Sequence, residues 1–168
     1  MARVFISLGS NLGDRLRLLQ RAVDAVASAP TTTVRRLSSV YETEPVGVKN
    51  QPEFLNAVAE LESALAPPEM FHRLKEVESL VGRMKSERWG PREIDLDLLY
   101  YDSFILQMPD LTIPHPEIHR RRFVLVPLAE IAENFLDPVT RTSMKNLLNE
   151  CSDASVVKQT SLKLSSQP

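Results

Sequence analysis

With a single cysteine, Cys151, in 168 residues, the chain cannot form an internal disulfide. No Cys or His cluster surrounds it to suggest a structural zinc site. Long hydrophobic runs are missing too: nothing approaches the ~20 apolar residues of a membrane span, and the apolar stretch at residues 4–8 is too short for the core of a signal peptide. The expectation is a cytoplasmic protein with no membrane partner. Charge of one sign is not in excess either, since 20 Lys and Arg stand against 22 Asp and Glu, for a formal net charge of -2. That balance speaks against general attraction to nucleic acid or anionic lipid, so any anion must be met at a focused site. Internal repeats and low-complexity blocks are absent. What is present is 43% hydrophobic content, enough for one compact domain with a core.

Element types alternate along the chain. Residues 4–8 form a short buried strand, and Gly9-Ser10-Asn11 supplies a turn and N-cap for a helix with Leu16, Leu19, Val23 and Val26 at helical spacing. Residues 33–43 have the Thr, Val and Tyr content of a strand, broken by Glu44-Pro45-Val46-Gly47. Residues 54–62 alternate, with Leu55, Ala57, Ala59 and Leu61 on one face and Phe54, Asn56, Val58, Glu60 and Glu62 on the other. Pro67-Pro68 opens a second helix, striped by Met70, Leu74, Val77 and Val81 and ended by Gly82. A strand over residues 94–101 follows, then a proline-rich stretch and a short helix around residues 125–131. The expectation is a single domain over residues 1–150. Residues 151–168 are expected as a loosely held tail, with a short added strand through Val156-Val157 or Leu162-Leu164 as the structured alternative. The order βαββαβ predicts a ferredoxin-like α+β sandwich, an antiparallel sheet with helices on one side.

The stretch G-P-R-E-I-D-L-D-L-L-Y-Y-D puts two acids into an apolar strand. Asp95 and Asp97 share one face, roughly 6–7 Å apart at their Cα atoms, while Ile94, Leu96 and Leu98 point into the core. Like charges so close call for a cation, and Mg²⁺ accepts one or two carboxylates and completes its shell with water and phosphate oxygens. D-x-D is short, and on spacing alone a strand ending at a solvated edge with two acids fits equally. The neighbours favour the metal: Arg83, Lys85, Arg88 and Arg92 surround the only tryptophan, Trp89, on one loop. Cations at that density facing an acid pair suit a polyphosphate. A second basic element, I-P-H-P-E-I-H-R-R-R-F, brings His115, His119 and three arginines. Pro116 and the missing third ligand speak against zinc there. The stretch S-L-G-S-N-L-G-D-R lacks the Gly-Lys-Ser/Thr ending of a Walker loop and the dinucleotide fingerprint, and reads as a tight strand-to-helix turn.

S-L-G-S-N-L-G-D, Y-E-T-E-P-V-G with Q-P-E-F-L-N-A-V, G-R-M-K-S-E-R-W-G-P-R-E-I-D-L-D-L-L and I-P-H-P-E-I-H-R-R-R-F-V-L-V-P-L-A-E-I together resemble, in that order, the 6-hydroxymethyl-7,8-dihydropterin pyrophosphokinases of folate biosynthesis. The resemblance spans about residues 3 to 140, and W-G-P-R-x-I-D-L-D is its most specific part. It implies a ferredoxin-like fold and transfer of the β,γ-diphosphate of ATP to the pterin hydroxymethyl group, releasing AMP. It further implies two Mg²⁺ ions on Asp95 and Asp97, with Asp97 nearest the pterin hydroxyl, and diphosphate stabilisation by Arg83 and Arg92. Glu78, Lys85, Trp89, Arg92, His115 and Arg121 fall at ATP-contacting positions, and Thr43, Val46, Phe54, Asn56 and Phe123 at pterin-binding ones. Lys85 replaces an arginine of many relatives, a point charge where a bidentate fork would stand.

Two other functions compete: a D-x-D nucleotide-sugar transferase, which needs a larger domain, and a non-catalytic ferredoxin-like RNA-binding module, for which the strands lack paired exposed aromatics. The expected partners are ATP and the pterin, with no nucleic acid. A monomer is expected, with a dimer as the alternative. Because its cations repel one another and little in it is apolar, the segment 84–92 is expected to be mobile until substrates bind.

Overall fold

A nine-residue apolar strand runs through the centre of the sheet and places the rest of the fold around it. The structure, a computed structural model, describes residues 1–85 and 87–166. The parts of the loop and tail expectations that fall on residue 86 and residues 167–168 lie outside the described residues. In chain order the elements are β1 (Ala2–Ser10), α1 (Arg15–Ala27), β2 (Thr32–Leu37), β3 (Tyr41–Thr43), β4 (Phe54–Ser63), α2 (Pro67–Val81), β5 (Asp95–Tyr101), β6 (Leu106–Gln107), β7 (Thr112–Ile113), a 3-10 turn (Ile118–Arg120), α3 (Arg122–Ala132), α4 (Met144–Glu150) and β8 (Val157–Gln159). β1 lies between β4 and β5, antiparallel to both. The main sheet has the order β5-β1-β4-β3-β8, and β2 pairs with the far end of β4.

Several local signals act as their chemistry requires. α2 opens on Pro67, and the Ala66 N–H donates to Glu69 Oε2 at 2.7 Å. Gly82 closes it with φ 115, a conformation that favours glycine. β1 extends through Ser10, so Gly9 is a strand residue rather than part of a turn, and the N-cap of α1 is Asp14, whose carboxylate accepts from Arg17 N at 3.2 Å. The expected single strand over 33–43 is two strands. At the break the Ser38 hydroxyl, in place of a carbonyl, accepts the N–H of Val58 at 2.9 Å.

The sheet is covered on both faces, which corrects the expectation of helices on one side. α1 and α2 bury Val4, Ile6 and Leu8 of β1 against Leu19, Val23, Met70 and Leu74. On the opposite face α3 and α4 bury Phe5, Val58 and Leu99 against Leu125, Leu128 and Leu147. Leu125 and Leu128 are fully buried, at ~1.5–3 kcal/mol each. That packing holds a helix too short to be stable by itself.

Nor is the tail loose. β8 pairs with β3, Thr160 N donates to Val40 O at 2.9 Å, and Ser165 N reaches Gln20 Oε1 at 2.9 Å. Of the two structured alternatives, Val157 joins a strand and Leu162-Leu164 does not, although Leu164 packs on the first core. Among the described residues no helix is long and apolar enough to cross a membrane.

Candidate active site

The register of the central strands explains why distant residues meet. Gly9 of β1 lies opposite Asn56 of β4 on one side and Asp95 of β5 on the other, and Ser7 lies opposite Asp97. Adjacent strands are ~4.8 Å apart, so Asn56 and the acid pair flank a narrow strip of β1. A cleft of about 270 Å³ opens over this strip.

One wall carries the residues inferred for a flat heterocycle. Thr43, Val46, Phe54 and Asn56 all line the cleft, and Phe123 closes it from α3. Asn56 Nδ2 donates to Thr43 Oγ1 at 2.5 Å, which fixes the amide with Oδ1 over Gly9. A Cβ on Gly9 would lie 2.9 Å from that oxygen and 3.6 Å from the Phe54 ring. Glycine is therefore needed there for close approach rather than for a turn.

The other wall is ionic. The Asp95 and Asp97 side chains both face the cleft, 25% and 27% exposed. Asp95 Oδ1 accepts from Arg92 at 3.0 Å and Arg83 at 3.1 Å, while Arg121 Nη1 stands 4.0 Å from Asp97 Oδ2. Loss of water and then the charge of Asp95 push the Asp97 carboxyl above its ordinary range, against the pull of His115, Lys75 and Arg121. His115 is lowered, chiefly by burial. Its Nδ1 accepts the Glu117 N–H at 3.2 Å, so a neutral ring carries its proton on Nε2.

Not every candidate lines the cleft. Glu78, 3% exposed, lies behind the acids: it accepts Leu96 N at 2.8 Å and pairs with Arg83 at 2.7 Å and Lys75 at 3.2 Å. Leu96 sits between the two aspartates, so Glu78 braces the strand that presents them. Arg83 meets the cleft only through Asp95, and Lys85 is exposed and away from the lining. Of the three consecutive arginines, Arg121 lines the cleft with His115, whereas His119 turns away to Asp137 Oδ2 at 3.0 Å. Buried Asp137 also accepts from Tyr100 Oη at 2.8 Å.

Trp89 lines the cleft and is 42% exposed. It packs on Gly47, where a Cβ would come within 3.3 Å of the Trp89 Cβ. The loops on the two walls are joined through Asn11. Its backbone N–H donates to Arg92 O at 3.0 Å, its Oδ1 accepts Arg92 N at 2.7 Å, and its Nδ2 donates to Gln51 Oε1 at 3.0 Å. Gln51 Nε2 in turn donates to Trp89 O at 2.9 Å. The Arg92 end of the loop is thus anchored. Arg88, one of the four cations expected around Trp89, lines the cleft, and so do Ser7, Leu8, Gly9, Glu44 and Gly90, which were not singled out as site residues from sequence. For Ser7 the signal was present, because it continues the alternation of β1.

Among the described residues no cluster of three or more Cys, His, Asp or Glu side chains could form a closed metal site. Two carboxylates in a partly dried cleft nevertheless fit a hard cation that takes its other ligands from water and phosphate. With cations on Arg92, Arg121 and Arg88 beside them, the walls complement a polyphosphate and a polar heterocycle side by side.

A family model for 7,8-dihydro-6-hydroxymethylpterin-pyrophosphokinase matches residues 5–133. The 2-amino-4-hydroxy-6-hydroxymethyldihydropteridine pyrophosphokinase of Haemophilus influenzae is 37% identical over 158 residues, covering 94% of this chain and 98% of the relative. That match necessarily reaches into the tail. The Bacillus subtilis protein of the same name is 42% identical over 129 residues, 77% of each chain. Among solved structures, wild-type Plasmodium falciparum HPPK-DHPS superposes with a TM-score of 0.72 at 15% identity, over 89% of this chain and 44% of that one. This likeness bears on the fold alone, and the chain spans less than half of that protein. On the family match and these relatives, the chain belongs to the 7,8-dihydro-6-hydroxymethylpterin-pyrophosphokinase family.

Proposed function

We propose that the cleft holds ATP and 6-hydroxymethyl-7,8-dihydropterin together and moves the β,γ-diphosphate of ATP to the pterin hydroxymethyl oxygen, with AMP leaving. The observation that carries this reading is the cross-strand row Asn56, Gly9, Asp95. It sets a heterocycle-reading amide and a pair of acids on either side of one strand, inside one cleft. The pterin ring lies between Phe54 and Phe123 with its polar edge on Asn56 and Thr43, and Val46 covers it. Arg92, Arg121, His115 and Trp89 receive ATP, with Arg83 in reserve behind Asp95.

In the reaction the pterin oxygen bonds to the β-phosphorus as the bond from that phosphorus to the α-bridging oxygen breaks. The hydroxyl proton passes to the Asp97 carboxylate, which faces the cleft opposite Ser7 of β1. Arg92 and Arg83 swing from Asp95 to the phosphates and neutralise charge on the departing oxygen, while neutral His115 donates from Nε2. Asp95 and Asp97 would hold Mg²⁺, two ions in this proposal, supplying charge neutralisation and alignment of the phosphates. Catalysis here is positioning and electrostatics, with no covalent intermediate. A monomer in the cytoplasm completes the proposal.

The test is release of AMP from ATP by the purified chain, with pterin and Mg²⁺ each omitted in turn. Turnover requiring both, and falling by about 10²-fold or more in Asp97→Asn, is expected. AMP release indifferent to pterin would contradict the reading.

A further inference from the structure

The C-terminal segment touches both walls of the cleft without lining either. Asp153 Oδ2 accepts the backbone N–H of Arg122 at 3.0 Å, and its Oδ1 accepts that of Ser155 at 2.9 Å. Arg122 is the first residue of α3, whose N-cap Arg121 offers no side-chain acceptor. Asp153 therefore supplies from the tail the cap that the helix lacks in its own sequence, with a negative charge at the favourable end of the helix. Burial alone would raise this carboxyl, but the N–H donors of Ser155 and Arg122 outweigh it and its pKa is lowered. The residues on either side of the capped N–H, Arg121 and Phe123, both face the cleft.

Four residues after Asp153, the chain secures the opposite wall as well. Val157 of β8 lies opposite Thr43 of β3, the residue that fixes Asn56. The strand is closed by Thr160, whose N–H and hydroxyl both donate to Val40 O, at 2.9 and 2.8 Å. Gln159 Nε2 donates to Ser39 Oγ at 3.0 Å, and Ser39 and Tyr41 both donate to Glu130 of α3. The tail, β3 and α3 thus form a closed ring of hydrogen bonds around the outside of the site.

We propose that residues 153–160 are a positioning element for the reaction: Asp153 sets the turn that carries Arg121 and Phe123, and β8 sets the strand that carries Thr43. The proposal rests on the assignment of Arg121 to ATP and of Thr43 with Asn56 to the pterin. Neither Asp153 nor Thr160 lines the cleft, so their effect on substrate passes through the residues they hold.

The two halves are separable in full-length variants. Asp153→Ala should raise the Michaelis constant for ATP about three- to tenfold and leave that for pterin nearly unchanged. Asp153→Asn, which keeps an acceptor oxygen, should recover most of the loss. Thr160→Pro removes both bonds to Val40 O and should raise the constant for pterin instead. Hydrogen exchange in the ligand-free proteins should show faster exchange at residues 122–125 in Asp153→Ala and at 41–43 in Thr160→Pro. Unchanged Michaelis constants in folded variants would overturn the positioning role. So would losses for both substrates that rise together with a fall in melting temperature, because that pattern marks stability alone. Wild-type protein without pterin-dependent AMP release would overturn the functional reading itself, whereas wild-type turnover with indifferent variants would overturn only this inference.

Discussion

Replacing Glu78 with alanine separates a brace from a ligand contact. In the structure its carboxylate accepts Leu96 N at 2.8 Å between the two aspartates and pairs with Arg83 and Lys75. Alanine leaves the buried Leu96 N–H without an acceptor, at a cost of ~1–3 kcal/mol. The two cations are not abandoned: Arg83 keeps Asp95 at 3.1 Å, and Lys75 keeps Leu96 O at 3.3 Å. The ~3–5 kcal/mol of an uncompensated buried charge therefore applies only in part. A total of ~2–4 kcal/mol follows, which for a chain of this size lowers the melting temperature by roughly 5–15 °C. Glu78→Gln, which retains an oxygen for Leu96 N, should lose about half as much. The assay is thermal denaturation of both variants, with Michaelis constants measured well below either midpoint. The expected result is a large fall in Tm with a modest rise in the ATP constant. A midpoint moved by less than ~2 °C, together with a more than tenfold rise in the ATP constant, would refute the brace and make Glu78 a substrate contact.

Asn56→Ala should weaken pterin binding by about 1–3 kcal/mol, the cost of polar groups left unpaired, with ATP binding unchanged in a titration of each ligand. Arg92→Ala should lower turnover by about 10²- to 10³-fold, more than it lowers ATP affinity, because its charge is used most in the transition state. Steady-state kinetics with a separate binding measurement checks this. For acid stability, burial raises the Asp137 carboxyl, but hydrogen bonds from His119, Thr140, Tyr100 and Val139 outweigh it and leave the pKa below the ordinary 3.8. A lowered folded pKa contributes stability above the unfolded value, and this is lost as pH falls through the folded value. Asp137→Asn should therefore be less stable at neutral pH, and should lose less further stability than the wild type below about pH 4 in denaturant titrations.

How far the sequence disclosed the fold depended on where each cause lay. The ends of α2 were legible because Pro67 and Gly82 act locally, and the period of β4 was legible because side chains alternate. That the second face of β4 is dry was not, because Val58 is covered by Leu125 and Leu128 of a helix far along the chain. Ser38 broke the predicted strand through a hydrogen bond to Val58 N, a partner that composition does not reveal. The acid pair and its arginines stood out by charge density. Gly9 did not, because its role arises from the approach of Asn56 across the sheet. α4 was passed over: its seven residues carry little pattern of their own, and it is held by burial of Met144 and Leu147. The tail, poor in apolar period, takes its order from pairing with β3 and from Asp153.

The central claim is that this cleft transfers a diphosphate and not a single phosphate. ATP labelled in the γ-phosphate, incubated with the chain, 6-hydroxymethyl-7,8-dihydropterin and Mg²⁺, tests it most directly. The label should appear in a pterin product that carries two phosphates, with AMP formed in equal amount. ADP as the main nucleotide product, or a pterin bearing only one phosphate, would contradict the account.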